Sequence, residues 1–402
     1  MPRINPEILV WARESAGLSQ EEAVKRLGIK DARGVNPIQR LAALETGERE
    51  PSRPMLLKMS KQYRRSLLAF YLPRPPERAN RGEDFRTLPR GHSESDDALL
   101  DALVRDIGAR QSTVRAIIAD DPDAKELNFI GSMHIRDGVS AVAASIRETL
   151  VFDRDAFRSA PTPEQAFTLL RERVEAIGIF VLLAGNLGSH HTSLDVESFR
   201  GFALADGIAP FIVINDQDSK AAWSFTLLHE VTHLWLGKTG VSGSTAGSRL
   251  ERFCNDVAGR LLVSSSELDE FSRASDQDTR SLGQQIAAFA SARNVSATLI
   301  AYRLLRAEIL DDDAWTQLSD TFRRQWLQQR SDRRERSREQ EGGPNYYVVR
   351  RHRVGKALIE FVRRNLAEGD LTTVKAGQVL GVRPKNVYPL LQPDAGRLRQ
   401  AG

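Results

Sequence analysis

The residues of this 402-residue chain best placed to do chemistry together are His229, Glu230 and His233, in the run Phe225-Thr-Leu-Leu-His-Glu-Val-Thr-His-Leu-Trp-Leu236. Two histidines four residues apart on a helix project to one side, so both imidazoles can reach one ion at about 2.0–2.1 Å. The glutamate between them sits beside that ion without having to bind it. There it can accept a proton from a water and later return it to a leaving amine. A bound zinc ion would bring the pKa of such a water toward about 7 and polarise a peptide carbonyl. The spacing therefore points to zinc-assisted peptide hydrolysis. The plainer reading is a buried helix whose histidines are satisfied by hydrogen bonds. The apolar neighbours Val231, Leu234, Trp235 and Leu236 are also what a water-poor metal cleft needs.

A catalytic zinc site usually takes three protein ligands and keeps a fourth position open. Glu251, in Leu250-Glu-Arg-Phe-Cys-Asn-Asp-Val-Ala258, is the best third ligand. It lies eighteen residues beyond His233, after a Gly/Ser-rich stretch from Val241 to Ser248 that lets the next helix fold back. Asp256 is the rival ligand, and a solvent-facing helix carboxylate is the plain alternative. Asn255, one turn after Glu251, faces the same way and can hydrogen-bond the first helix or its loop. His190 and His191, in a glycine-flanked loop, read as surface residues.

The elements that would hold this site are readable from hydrophobic periodicity. Phe167 to Ile177 predicts an amphipathic helix and Ile179 to Leu183 a buried strand. Phe199 to Ala205 and Pro210 to Asn215 predict two more strands, with Asn215 turning the chain into a helix from Trp223 to Leu236. Leu250 to Val263 and Gln284 to Ala307 predict further helices. Upstream, apolar positions among Ile4–Ala12, Ala23–Leu27, Ile38–Leu44 and Met55–Phe70 predict short helices with tight glycine turns, and Ser19 to Glu22 reads as a capping box. That density of short helices is what a helix-turn-helix domain requires. Leu72-Pro-Arg-Pro-Pro76 opens a linker, and residues 96–150 are helical again. Residues 323–341 read as a solvated helix or flexible joint. Tyr346 to Leu391 closes the chain with a strand-like Tyr-Tyr-Val-Val, a helix from Val354 to Leu366, and Gly381-Val-Arg-Pro384. No internal repeat is evident.

Hydrophobic content of 41% with 27% charged residues supports buried cores, and the length suggests two or three domains. No stretch approaches the roughly 18 apolar residues of a membrane helix, so no membrane contact is expected. The amino terminus lacks an apolar run followed by small residues, so a secretory signal is not expected either. A single cysteine, Cys254, rules out an internal disulfide and a cysteine-rich zinc module, and fits a reducing cytoplasm. The net charge of +4 is unevenly spread: residues 1–74 hold 14 Lys+Arg against 8 Asp+Glu, and residues 321–364 hold 13 against 5. Duplex DNA would thus meet the ends of the chain. In the amino-terminal helices, recognition would fall to the helix holding Gln39, Arg40 and Glu45, with Lys25, Arg26 and Arg33 on phosphates. The other use of such helices is to dock a protein partner or build a homodimer.

At its metal motif the chain resembles the ImmA/IrrE family of metallopeptidases. The resemblance rests on Phe225 to His233 and on Glu251-Arg-Phe-Cys-Asn255-Asp-Val-Ala-Gly-Arg-Leu-Leu262, with Phe199-Arg-Gly-Phe-Ala and Ala209 to Asn215 upstream. Val257 stands where that family usually has Phe, and Ser264-Ser-Ser266 where it has proline. The resemblance implies zinc held by His229, His233 and Glu251, with Glu230 as general base. Ala16 to Ala23, Leu44 to Pro51 and Phe70 to Pro76 resemble the Xre-type helix-turn-helix that often precedes this peptidase. The implied fold is mainly α with a small β-sheet (α+β). It comprises a helix-turn-helix bundle (1–75), a linker (76–95), a helical connecting region (96–160) and a zincin-like peptidase core (161–312). A charged linker (313–345) and a small C-terminal helical domain (346–402) complete it. The implied function is a cytoplasmic regulatory endopeptidase that cleaves a partner repressor and so relieves repression during stress or mobile-element induction. The alternative is a helix-turn-helix regulator or antitoxin-like protein whose peptidase fold senses without turnover.

Overall fold

The structure, a computed structural model, describes residues 4–32, 34–76, 94–188, 192–242, 249–274, 279–339 and 345–392. They divide into two compact units, residues 1–107 with 186–198, and residues 108–185 with 199–402. The architecture is mainly helical with one small sheet, as the sequence predicts.

The first unit holds α1 (Pro6–Glu14), α2 (Gln20–Leu27), α3 (Pro37–Glu45), α4 (Arg53–Gln62) and the start of α5 (Glu94–Asp120). Side-chain oxygens of Asn5, Ser19, Asn36 and Ser52 cap the first four, so each helix begins where a backbone donor finds a partner. Ser19 and Glu22 form the expected capping box. Leu9, Leu27, Leu41, Met59 and Phe70 meet in the core. The single helix expected over Met55–Phe70 is broken instead. Arg64 adopts φ 52°, and a separate 3-10 turn, Leu67–Tyr71, starts from a Ser66 cap.

The second unit continues through α6 (Val139–Thr149), α7 (Arg154–Ser159), α8 (Pro163–Ala176), β1 (Phe180–Leu183), β2 (Gly201–Leu204), β3 (Phe211–Ile214), α9 (Lys220–Trp235), β4 (Gly240–Ser242) and α10 (Arg249–Leu262). Then come α11 (Ser265–Ala274), α12 (Thr279–Ser291), α13 (Ala297–Arg306), α14 (Asp312–Glu339), α15 (Tyr346–Val354), α16 (Lys356–Glu368), α17 (Thr373–Leu380) and α18 (Val387–Leu391). Among the described residues the sheet runs β1-β3-β2-β4, with β1 parallel to β3 and the other pairs antiparallel. Every residue of β1, β2 and β3 is buried. That explains why they read as continuous apolar runs rather than alternating ones.

One expectation fails near the carboxyl end. Tyr346-Tyr-Val-Val is the first turn of α15, where Asn345 caps the Tyr347 amide, and not a strand. The arginine-rich stretch, read as a solvated helix or a flexible joint, lies mostly within the 28-residue α14, the first of those readings. The C-terminal helices pack on the second unit's own sheet. Phe361 of α16 meets Phe180 of β1 edge-on at 5.7 Å, and Glu175 of α8 accepts the amides of Lys356 and Ala357 at 3.1 Å. Arg171 bonds Glu175 at 3.0 Å, the His352 carbonyl at 2.6 Å and the Val181 carbonyl, tying α8, α15 and β1 together.

Candidate metal centre

α9 is apolar almost all round, and from Ala222 to Trp235 only Phe225 escapes full burial. Leu227, Leu228, Val231 and Leu234 are completely enclosed, each stabilising the fold by about 1.5–3 kcal/mol. That helps offset the cost of drawing His229, Glu230, Thr232 and His233 out of water with them, a cost kept low only by hydrogen bonding. Thr232 settles its own cost by donating to the Leu228 carbonyl at 2.8 Å. The two histidines are satisfied from a neighbouring element.

That element is α10, packed along α9. His229 Nε2 and His233 Nε2 lie 3.1 Å apart, and the Glu251 carboxylate faces both, Oε2 at 3.2 Å from the first and Oε1 at 3.2 Å from the second. Four bonds of about 2.0–2.1 Å in a tetrahedron separate neighbouring ligand atoms by about 3.3–3.4 Å. Two imidazole nitrogens and a carboxylate therefore converge at nearly the spacing one small cation imposes. The buried set of two neutral donors and one anion fits zinc with a position to spare. Asn255 Oδ1 meets His229 Nδ1 at 2.8 Å. A proton on Nδ1 satisfies that contact and leaves the Nε2 lone pair toward Glu251.

The electrostatics agree. Burial by itself lowers the basicity of His229, but the hydrogen bond and charge of Glu251, with the charge of Glu230, carry its pKa above the ordinary value. Burial would raise the Glu251 pKa, yet hydrogen bonds from His229 and His233 hold it well below the usual carboxylate range. The cluster attracts positive charge.

Glu230 is fully buried, and β2 makes the room for it. A Cβ at Gly201 would come within 2.8 Å of Glu230 Oε1 and 2.7 Å of Thr226 Cγ2. A glycine there lets the strand backbone approach the carboxylate. The spacing of motifs in the sequence held no sign of this contact.

Two other groups, an acid and a thiol, lie nearby. Asp256 turns away to Arg306 at 2.9 Å and the Tyr302 hydroxyl at 2.8 Å, so it is not at the cluster. Cys254, buried and free of disulfide, places its thiol within 4.8 Å of ligand atoms on both histidines. The Glu251 carboxylate reaches both histidine Nε2 atoms at 3.2 Å. Sequence reasoning passed over Cys254, although a residue three beyond Glu251 shares its helix face. His190 and His191 lie outside the described residues.

In the first unit, Lys25, Arg26 and Gln39 are exposed. The Gln39 carboxamide closes the α3 capping box on the Asn36 amide, and Arg40 donates to the Lys30 carbonyl. Arg33 lies outside the described residues. Glu45 is not available to a base edge. It is buried against Arg13 at 2.6 Å and accepts from Gln20 at 3.0 Å, joining α1, α2 and α3.

Residues 175–305 match the family model described as Peptidase M78, IrrE N-terminal-like domain, and residues 9–70 match the helix-turn-helix model. Searches of curated proteins and of solved structures returned no match. The matched segments hold the α9–α10 cluster and, in the second case, the end of α1 with all of α2, α3 and α4.

Proposed function

We propose that this chain, an N-terminal helix-turn-helix domain joined to an ImmA/IrrE-type peptidase domain, is a zinc endopeptidase that regulates transcription. The observation that carries the reading is the convergence of His229, His233 and Glu251 at 3.1–3.2 Å beside a buried Glu230. In this reading the three residues hold zinc, which supplies Lewis acidity toward a peptide carbonyl and a lowered pKa for water. Glu230 accepts the proton of the attacking water and returns it to the leaving amine. Asn255 fixes the tautomer and tilt of His229, and Gly201 keeps the space in which Glu230 moves its proton. Leu227, Leu228 and Val231, buried in the core, hold α9 in place behind the cluster.

In this reading the helix-turn-helix of a cytoplasmic protein would bind duplex DNA through Lys25, Arg26, Arg33, Gln39 and Arg40. Cleavage of a partner repressor would couple the two domains, and a homodimer is the usual way such a domain reads paired half-sites. No helix among the described residues is long and apolar enough to cross a membrane. Metal analysis tests the ligand set. The parent should hold about one zinc per chain, and His229→Ala, His233→Ala and Glu251→Ala should each lose it. Full zinc in Glu251→Ala would move the third ligand to Cys254.

A further inference from the structure

The C-terminal helices share with the amino-terminal domain a local pattern too short to stand out as a sequence repeat. In the first unit the run is Ser19-x-x-x-Ala23-x-x-x-Leu27-Gly28-Ile29; near the carboxyl end it is Thr372-x-x-x-Ala376-x-x-x-Leu380-Gly381-Val382, with identical spacing. The local structures match as closely. α2 and α17 are each eight residues long. A hydroxyl caps each, Ser19 Oγ accepting from the Glu22 amide at 3.2 Å and Thr372 Oγ1 from the Lys375 amide at 3.3 Å. Both end on a left-handed glycine, Gly28 at φ 65°, ψ 36° and Gly381 at φ 63°, ψ 38°. Past the glycine, the Ile29 amide reaches back to the Val24 carbonyl at 3.1 Å, and the Val382 amide to the Gly377 carbonyl at 2.8 Å.

Beyond Gly381 a short turn leads into a second helix. Pro384–Asn386 forms a 3-10 turn that runs into α18, whose Val387, Leu390 and Leu391 are buried. Gly377 permits the close approach, since a Cβ there would lie 2.8 Å from the Val382 carbonyl. Arginines of α15 and α16 brace the pair at its carboxyl ends. Arg350 donates to the carbonyls of Leu380 and Gly381, Arg351 to those of Leu390 and Gln392, and Arg363 to that of Leu391. Two helices joined by a glycine turn of a few residues and clamped in this way form a helix-turn-helix.

The charge on this unit decides what it would meet. From Thr372 to Leu391 there is no acidic residue, and the three cations, Lys375, Arg383 and Lys385, are all exposed. Residues 345–392 carry nine Lys+Arg against three Asp+Glu. Val374 at 58% and Tyr388 at 60% exposure present apolar surface beside the cations, suited to sugar and thymine methyl contacts. We propose that residues 372–391 form a second helix-turn-helix that docks on duplex DNA through Lys375, Arg383 and Lys385.

The test uses the full chain and a 30-base-pair duplex of mixed sequence, with binding followed by fluorescence anisotropy across a salt series. Lys375→Ala/Arg383→Ala/Lys385→Ala should weaken binding at low salt by at least ~10-fold. It should also flatten the log–log salt dependence by about two to three units, since each phosphate contact contributes about 0.9. The loss should recur in a Lys25→Ala/Arg26→Ala background, where the amino-terminal contribution is already reduced. Exchanging Lys for Arg and Arg for Lys at the three sites should restore binding. A triple variant with the parent's thermal midpoint and the parent's affinity and salt slope in both backgrounds would overturn the proposal. So would a triple variant that loses a bound protein while its DNA binding is intact, which would make the face a protein-docking surface.

Discussion

Asn255 Oδ1 lies 2.8 Å from His229 Nδ1, so the helix that brings Glu251 to the cluster also orients the ring that Glu251 faces. Removing the amide frees the imidazole to rotate and to change tautomer without touching a ligand atom. Asn255→Ala should weaken zinc retention by about 10–100-fold, as loss of such outer contacts typically does. Asn255→Asp, which keeps an acceptor, should retain zinc nearly as well as the parent. Competition with a chromogenic chelator measures both. Equal retention in Asn255→Ala and the parent would remove Asn255 from the site.

Gly201 sets a separate constraint, on the carboxylate and not on the metal. The added methyl of Gly201→Ala falls 2.8 Å from Glu230 Oε1 and 2.7 Å from Thr226 Cγ2, so Glu230 or β2 must shift. Overpacking of this kind costs about 1–3 kcal/mol, readable in chemical denaturation. The variant should keep its zinc and lose most of its cleavage. A variant that loses zinc as completely as His233→Ala would place Gly201 under the metal instead.

The site was legible where chemistry is local in sequence. His229 and His233 share a face by spacing alone, and Glu251 with Asn255 by the same rule on the next helix. The capping box at Ser19 and Glu22 was legible for the same reason. What stayed hidden depends on contacts across elements. Glu45 looks like a recognition residue until Arg13 is seen to hold it. Gly201 reads as an ordinary strand residue until α9 is laid against it. Tyr346-Tyr-Val-Val has strand propensity, but the Asn345 cap and the packing of Val354 carry it into a helix. The match between α2 and α17 joins segments far apart in the chain, and caps and a glycine conformation carry it more than residue identity does.

Glu267 gives the fold a pH dependence of known sign. Its carboxylate accepts from the Ser264 amide at 2.9 Å and hydroxyl at 2.7 Å, and faces Arg158 at 2.6 Å and Arg293 at 2.9 Å. Burial would raise its pKa, but the Ser264 hydrogen bonds and then the guanidiniums of Arg158 and Arg293 pull it down to about 2. The folded value lies below the ordinary 4.5, so this stabilisation is complete above pH 4.5 and is lost as pH falls toward 2. Glu267→Gln should cost about 1 kcal/mol at pH 7 once solvent screening is counted. That is about 2–4 °C in thermal midpoint. The variant should also lose less stability than the parent between pH 4.5 and 2. An identical acid slope in parent and variant would contradict this role.

Whether the cluster works as a peptidase turns on Glu230, which is buried next to His229 in the chain and has the chemistry to move a proton. Glu230→Gln is nearly isosteric, so it removes the proton acceptor while leaving His229, His233 and Glu251 in place. The decisive measurement compares new protein amino termini in cells expressing the parent and cells expressing Glu230→Gln, with zinc content and thermal midpoint checked on both purified proteins. The account predicts equal zinc, equal folding, and a cleaved partner protein whose new terminus appears with the parent alone. The same new terminus at the same yield with Glu230→Gln would contradict it.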